Sequence, residues 1–299
     1  MGRKVILAAA TNPLVDGLVR RYGMRLGAAR FVAGETLEEA LDVLAALNAK
    51  GLHANTAILG EDVADAAEAT AVAAEYERVL DAIAERALRV NVALKLTHLG
   101  LLIDEGLAYE NVSRVLDRAT AHGNFVRLDM EHSAVVDATL RIYRRLRDDG
   151  RDNVGAVLQS YLYRSEADLE SLLPLAPNLR LVKGAYLEPP DVAYPRKEDV
   201  DAAYVRLLER ALAGGAYVAV ATHDEALIER ATRIGEEGRF EIQMLYGVRP
   251  QLQLDLVARG HKVLVATPFG PQWYPYLMRR LAERPANVAF LVRNVLLRR

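Results

Sequence analysis

The segment Tyr276-Leu277-Met278-Arg279-Arg280-Leu281-Ala282-Glu283 holds the densest set of reactive side chains in the sequence. On a helix, Tyr276, Arg279, Arg280 and Glu283 stand at i, i+3, i+4 and i+7, inside a wedge of about 100°. Two neighbouring guanidinium groups, charged at any working pH, suit a bidentate grip on a carboxylate. Taken alone, such a face is more often a solvated surface with an Arg–Glu pair. Its surroundings must decide.

Those surroundings are a series of apolar runs that end in polar residues. The ends read Leu94-Lys95-Leu96-Thr97, Arg127-Leu128-Asp129-Met130-Glu131, Leu158-Gln159-Ser160-Tyr161, Val182-Lys183-Gly184-Ala185-Tyr186, Ala221-Thr222-His223-Asp224 and, with Glu241 and Gln243 before it, Leu245-Tyr246-Gly247. Strand alternation would put Arg127, Asp129 and Glu131 on one face. For any single run, a hydrogen-bonded core network explains the polar residues equally well; six in succession point to a pocket.

Other chemistries lack their residues. There is no cysteine, which excludes disulfides, thiolate nucleophiles and Cys-based metal sites. The sequence has no G-x-G-x-x-G, no P-loop and no serine in a nucleophile elbow. The histidines show no metal spacing; His98, His122 and His261 fall in loop or helix-end contexts and are expected on the surface. His132 suits either a pocket or a helix start. With 38 basic and 40 acidic residues in close mixture, a broad basic field for nucleic acid is absent.

The elements that must position these residues alternate regularly. Apolar runs lie at 54–60, 90–97, 125–131, 154–162, 178–186, 216–223, 240–247 and 262–270, most separated by enough charged sequence for a crossover helix. Stretches 37–49 and 72–87 have amphipathic helix spacing, the first behind a Gly34-Glu35-Thr36 start signal. Short apolar strands alternating with helices imply a parallel sheet covered on both faces. With 299 residues, 52% of them apolar, and no linker or low-complexity tract, one α/β barrel is the economical reading. Helices near 13–27 and 35–50 would precede the barrel, so that residues 1–50 pack on a barrel formed by 51–299. Two more, near 272–284 and 286–297, would follow strand eight, and one of them is surplus to barrel closure. Lying across the mouth, it would turn the arginines toward the pocket. No membrane span is present, and the six-residue apolar run at 5–10 is short of the roughly 7–15 of an export signal.

Read together, the strand ends resemble the proline dehydrogenase family, and specifically its short, monofunctional bacterial enzymes. The matching strings are Lys95-Leu96-Thr97, Leu128-Asp129-Met130-Glu131, Leu158-Gln159-Ser160-Tyr161-Leu162, Arg180 through Tyr186, Ala221-Thr222-His223-Asp224, Gln243-Met244-Leu245-Tyr246-Gly247 and the stretch 276–287, all in register. The resemblance implies a distorted, TIM-like (β/α)8 barrel that binds FAD over its strand ends, with the eighth barrel helix above the flavin. It implies oxidation of L-proline to Δ1-pyrroline-5-carboxylate, with electrons passed to a membrane quinone. By matched position, Arg279, Arg280 and Lys95 would hold the proline carboxylate. Tyr276, Tyr186 and Leu245 would wall the ring, with Asp129 in support. Gln159, Arg180, Lys183, Gly184, Ala185, Thr222, His223, Gln243 and Glu283 would contact the flavin. The second enzyme carried by fused relatives is not expected after the barrel.

Two points cut across this. Alternation puts Arg180 and Lys183 on opposite faces of a regular strand, so either a bulge intervenes or Lys183 lies past the strand end. The family pattern Y-x-P-x-G in strand eight reads Ala266-Thr267-Pro268-Phe269-Gly270, which removes a tyrosine from the substrate end. A Schiff-base aldolase using Lys95 or Lys183 is the main rival, since a desolvated strand-end lysine becomes nucleophilic. A barrel retained for binding or regulation is the non-catalytic one. The expected location is the cytoplasm, with quinone reduction calling for contact at the inner face of the membrane. The amphipathic, basic-ended stretch 288–299 could supply that contact, although packing on the barrel is the commoner use of such a stretch.

Overall fold

The computed structural model describes residues 30–274 and 276. It begins with helix α1 (Leu37–Ala49), started by a capping box in which Thr36 accepts from the Glu39 amide and Glu39 accepts from the Thr36 amide, both at 3.3 Å. Its buried stripe Ala40, Leu41, Leu44 and Leu47 packs on the first and last strands. The remaining elements alternate: β1 (His53–Ile58), α2 (Ala66–Glu85), β2 (Val90–Leu94), α3 (Glu105–Ala121), β3 (Val126–Leu128), α4 (Val136–Asp148), β4 (Val154–Gln159), α5 (Ser165–Leu172), β5 (Asn178–Val182), α6 (Lys197–Ala213), β6 (Tyr217–Ala221), α7 (Glu225–Ile234), β7 (Phe240–Leu245), α8 (Pro250–Ala258) and β8 (Val263–Phe269).

Each strand pairs in parallel with the next, and β8 closes onto β1 with Asn55 opposite Ala266. This is a closed eight-stranded α/β barrel. Closure leaves no strand edge to water, and the helices cover the outer face, which is why outward strand residues such as Val92, Leu158, Val218 and Val220 are buried. In α4, Val136, Leu140, Tyr143 and Leu146 are buried while Arg141 is exposed and pairs with Glu105 at the start of α3.

The barrel interior is unusually polar. Arg127, 2% exposed, donates to the Ala156 and Asn178 carbonyls and to the Asn178 side chain. Burial first, and the nearby Arg180 second, pull its pKa down to about 9. Glu241 accepts from Gln243 Nε2 (2.7 Å) and Tyr217 Oη (2.9 Å) and pairs with Lys262 (2.8 Å). Burial would raise this carboxyl, but the charge of Lys262 and its hydrogen bond outweigh it and the group lies below its ordinary value. A buried charge persists where it is paired and hydrogen-bonded on all sides.

All eight expected runs are strands, but most of the runs extended too far at their C-terminal ends. β2 stops at Leu94 rather than at 97, β3 at Leu128 rather than at 131, and β5 at Val182 rather than at 186. Beyond these points the backbone leaves the ladder, as where Thr97–Leu99 forms a short 3₁₀ turn. Arg127 and Asp129 keep the expected alternation, both meeting interior partners, whereas Glu131 turns aside to Thr97. Lys183 lies past the strand end, which resolves its conflict with Arg180. Helix α2 begins at Ala66, ahead of the expected 72, because Asp65 caps it by accepting from the Glu68 amide. His98 is not on the surface: it is 4% exposed in the 3₁₀ turn, its ring against Gly60, and burial, with Lys95 second, lowers its pKa to about 4. The expected helices at 13–27 and 286–297, and the one at 272–284 apart from its first turn, lie outside the described residues.

Candidate active site

Twelve sequence-derived candidates gather at one end of the barrel, the end at which the strands finish: Lys95 after β2, Asp129 after β3, Gln159 closing β4, Arg180, Lys183, Gly184, Ala185 and Tyr186 at and after β5, Thr222 and His223 after β6, Gln243 and Leu245 closing β7. Parallel strands deliver their C-terminal ends to the same mouth, so residues scattered over 150 positions of sequence meet there by topology. Tyr276 is half-buried; Arg279, Arg280 and Glu283 lie outside the described residues.

Arg180, buried on β5, is held from two sides. Its Nη1 donates to Asp129 Oδ1 at 2.6 Å, its Nη2 to Asn55 Oδ1 at 2.9 Å, and Asn55 in turn donates to Asn91. The guanidinium is thus fixed in position, while its Nε is buried without a hydrogen-bond partner. Such a donor suits an acceptor brought in by a bound group.

Lys183 stands in a ring of alternating charge. Its Nζ lies 2.5 Å from Asp201 Oδ1 and 3.0 Å from Asp224 Oδ2, and Lys197 pairs with Asp201 on the outer side. Burial would raise both carboxyls, yet the Lys183 hydrogen bonds help to bring them below the ordinary aspartate range. Gly184 follows with φ +116°, where a Cβ would sit 2.2 Å from the Tyr161 ring. Only glycine lets the chain turn there and lie flat on that ring.

Several other candidates are partly engaged within the protein. Gln159 donates from Nε2 to the Glu131 carbonyl at 2.9 Å, and Gln243 donates to Glu241. Thr222 Oγ1 accepts from the Asp224 amide at 3.1 Å. His223 Nε2 accepts from the Leu245 amide at 2.9 Å, which requires that nitrogen to be unprotonated and puts the ring proton on Nδ1. Leu245 pairs with Ala266 across β7 and β8. Tyr186 meets the half-buried His132 edge to face at 6.1 Å. Beside it, Glu188 accepts from the amide and hydroxyl of Ser133, both at 2.6 Å, and so clips the loop after β5 to the start of α4.

Sequence reasoning missed Asn55, Asp201, Lys197 and Glu188. Asn55 was detectable as a polar residue inside an apolar run. Nothing in the sequence marks Asp201 on α6 as the partner of a lysine before it on another element. Among the described residues no group of His, Asp and Glu could hold a metal ion.

The mouth therefore gathers the cations Arg180 and Lys183, each held by carboxylates, with amide and hydroxyl groups and an aromatic edge. A family model described as Proline dehydrogenase matches residues 40–293. The chain is 43% identical over 304 residues to Proline dehydrogenase from Deinococcus radiodurans, covering 98% of this chain and 97% of that one. It is 42% identical over 301 residues to Proline dehydrogenase 1 from Bacillus subtilis subsp. natto, covering 99% of each. Among solved structures it resembles proline utilization A (PutA) from Bdellovibrio bacteriovorus inactivated by N-propargylglycine, with a TM-score of 0.81 and 26% identity. That match covers 90% of this chain and 34% of the much longer PutA chain.

Proposed function

The chain belongs to the proline dehydrogenase family, and from that premise we propose how this mouth serves the oxidation of L-proline to Δ1-pyrroline-5-carboxylate with FAD as its cofactor. The protein is an oxidoreductase of proline catabolism. The reaction removes a hydride from a ring carbon beside the nitrogen and a proton from the nitrogen itself. FAD, when bound, supplies the hydride acceptor, which no amino-acid side chain can.

The fixed Arg180 guanidinium carries the cofactor reading: it is locked on two sides and keeps a buried, unpartnered Nε at the mouth. A cation placed there would favour an anionic reduced cofactor. Lys183, Gly184, Ala185, Gln159, Thr222, His223 and Gln243 would hold the remainder, and Glu283 is assigned with them by its matched position. For the substrate, Lys95, Arg279 and Arg280 would bind the carboxylate. Tyr186, Leu245 and Tyr276 would exclude water from the ring, and Asp129 would act through the Arg180 it orients. Positioning of this kind is the main requirement for hydride transfer.

A Schiff-base lysine must be available to a carbonyl, whereas Lys183 is held by two carboxylates. With Lys95 in its place the aldolase reading is not favoured either, because the full-length relatives are proline dehydrogenases. We assign the electrons to a quinone, reached by peripheral contact with a bilayer at the inner face of the cell membrane. No helix among the described residues is long and apolar enough to cross one. An absorbance spectrum of the purified protein, recorded before and after addition of L-proline, tests the reading. Flavin bands that bleach support it; a colourless protein, or bands indifferent to proline, would overturn it.

A further inference from the structure

Between the ends of β2 and β3 lies a buried carboxylate that none of the roles above uses. Glu131 is 1% exposed, and Thr97, its partner, is fully buried. Glu131 Oε1 accepts from the Thr97 amide at 3.1 Å and Oε2 from the Thr97 hydroxyl at 2.6 Å. The same hydroxyl accepts from the Asp62 amide at 3.1 Å, and the Thr97 carbonyl accepts from the Val63 amide at 3.2 Å. The Glu131 carbonyl accepts from Gln159. The carboxylate joins the segments that follow β2 and β3; through Thr97 the linkage extends to the segment after β1, and through the Glu131 backbone to the last residue of β4.

What this linkage holds is specific. The last ladder bond between β2 and β3 runs from the Asp129 amide to the Leu94 carbonyl at 2.8 Å. The next tie between the same two segments is the Glu131–Thr97 pair. Lys95 lies between these two ties, and the flanking Leu94 and Leu96 are buried so that its own side chain is directed from a pinned backbone. Asp129 is bracketed in the same way on the opposite strand end. Both donors to the carboxyl come from Thr97, and a doubly accepting carboxylate binds a backbone amide and hydroxyl more tightly than a neutral acceptor would.

We propose that Glu131 is a positioning residue for the substrate carboxylate, holding Lys95 at the end of β2 through its two hydrogen bonds to Thr97. The inference rests on the assignment of Lys95 to that carboxylate. Displacing the Lys95 backbone by a few tenths of an ångström weakens ground-state binding of the carboxylate and leaves the reacting ring atoms in place, so the effect falls on KM and spares kcat.

The test uses the full-length flavin-loaded enzyme at about pH 8, where the Glu131 carboxyl is ionised, with KM for L-proline and kcat measured against an artificial electron acceptor and the thermal midpoint followed in parallel. Glu131→Gln keeps shape and removes charge; Thr97→Val keeps shape and removes the hydroxyl; Thr97→Ser keeps the hydroxyl. Glu131→Gln and Thr97→Val should each raise KM about tenfold, the loss of one charge-assisted bond. kcat should stay within about twofold, Thr97→Ser should stay within about twofold of the parent in KM, and the double variant should be no worse than the poorer single, because both changes remove one interaction. If Glu131→Gln does not fold, the two Thr97 variants carry the comparison. An unchanged KM, a Thr97→Ser as impaired as Thr97→Val, or a kcat that falls as far as KM rises overturns the inference while leaving the functional reading intact. A parent enzyme that does not oxidise proline overturns both.

Discussion

Arg180 and Asp129 form an ion pair of 2.6 Å that passes over β4 to join the ends of β5 and β3. The side chains are 9% and 27% exposed, so little water screens them. Asn55 on β1 takes the other side of the guanidinium, and this one side chain therefore ties together β1, β3 and β5.

Replacing Asp129 by Asn removes the charge from that pair but keeps an acceptor. The expected loss of stability is about 2 kcal/mol, less than for a fully buried pair because Asp129 keeps some contact with water. Denaturant unfolding measures it. With Arg180 no longer fixed, kcat/KM for proline should fall by at least about tenfold. A variant equal to the parent in both respects would show that Asn55 alone fixes Arg180.

Gly184→Ala places a Cβ 2.2 Å from the Tyr161 ring at a φ of +116°. Steric overlap and an unfavourable backbone act together, so a destabilisation of about 2–4 kcal/mol is expected, with loss of bound flavin. Soluble protein that retains its flavin at the parent's unfolding midpoint would show that the turn after β5 relaxes freely.

Burial raises the Glu131 carboxyl from an ordinary 4.5 to about 7, against the opposing hydrogen bonds of Thr97 and the charge of Lys95, with Glu61 a small further push upward. A carboxyl raised in the folded state binds its proton more tightly there than in the unfolded chain. Its contribution is then full below about 4.5 and is lost as pH rises through about 7, by up to about 3 kcal/mol. Glu131→Gln has no proton to lose on this limb. Relative to the parent, it should gain stability between pH 5 and pH 8 in denaturant unfolding; a constant difference between the two proteins would count against the shift.

Ala266 on β8 lies beside Leu245 of β7 and opposite Asn55 of β1. With no tyrosine hydroxyl or ring there, proline should bind more weakly, or substituted rings be better tolerated, than in an enzyme with tyrosine at this position. Ala266→Tyr should lower KM for proline or sharpen discrimination against ring-substituted analogues by about 3- to 10-fold. No change in KM or in ring selectivity would sink the idea.

Much of the fold was legible in the chain alone. Apolar strands bounded by amphipathic helices dictate a parallel sheet with both faces covered, and eight such units close on themselves. The Gly34-Glu35-Thr36 start signal and the amphipathic spacing after it placed α1 at Leu37–Ala49, the bounds it has in the structure. The candidates at the strand ends were legible for the same reason: in a parallel barrel, chain order already sends every C-terminal strand end to one mouth. What the sequence could not convey was partnership. Arg127, Arg180 and Lys183 read alike as strand-end cations, yet the first is sealed into the barrel interior with Asn178, the second is fixed by Asp129 and Asn55, and the third is ringed by Asp201 and Asp224. His98 likewise reads as a loop histidine and is buried against Gly60. Local periodicity reports which way a side chain points, but its charge state and its task depend on groups tens to more than a hundred residues away. Only closure of the barrel brings those groups within hydrogen-bonding distance.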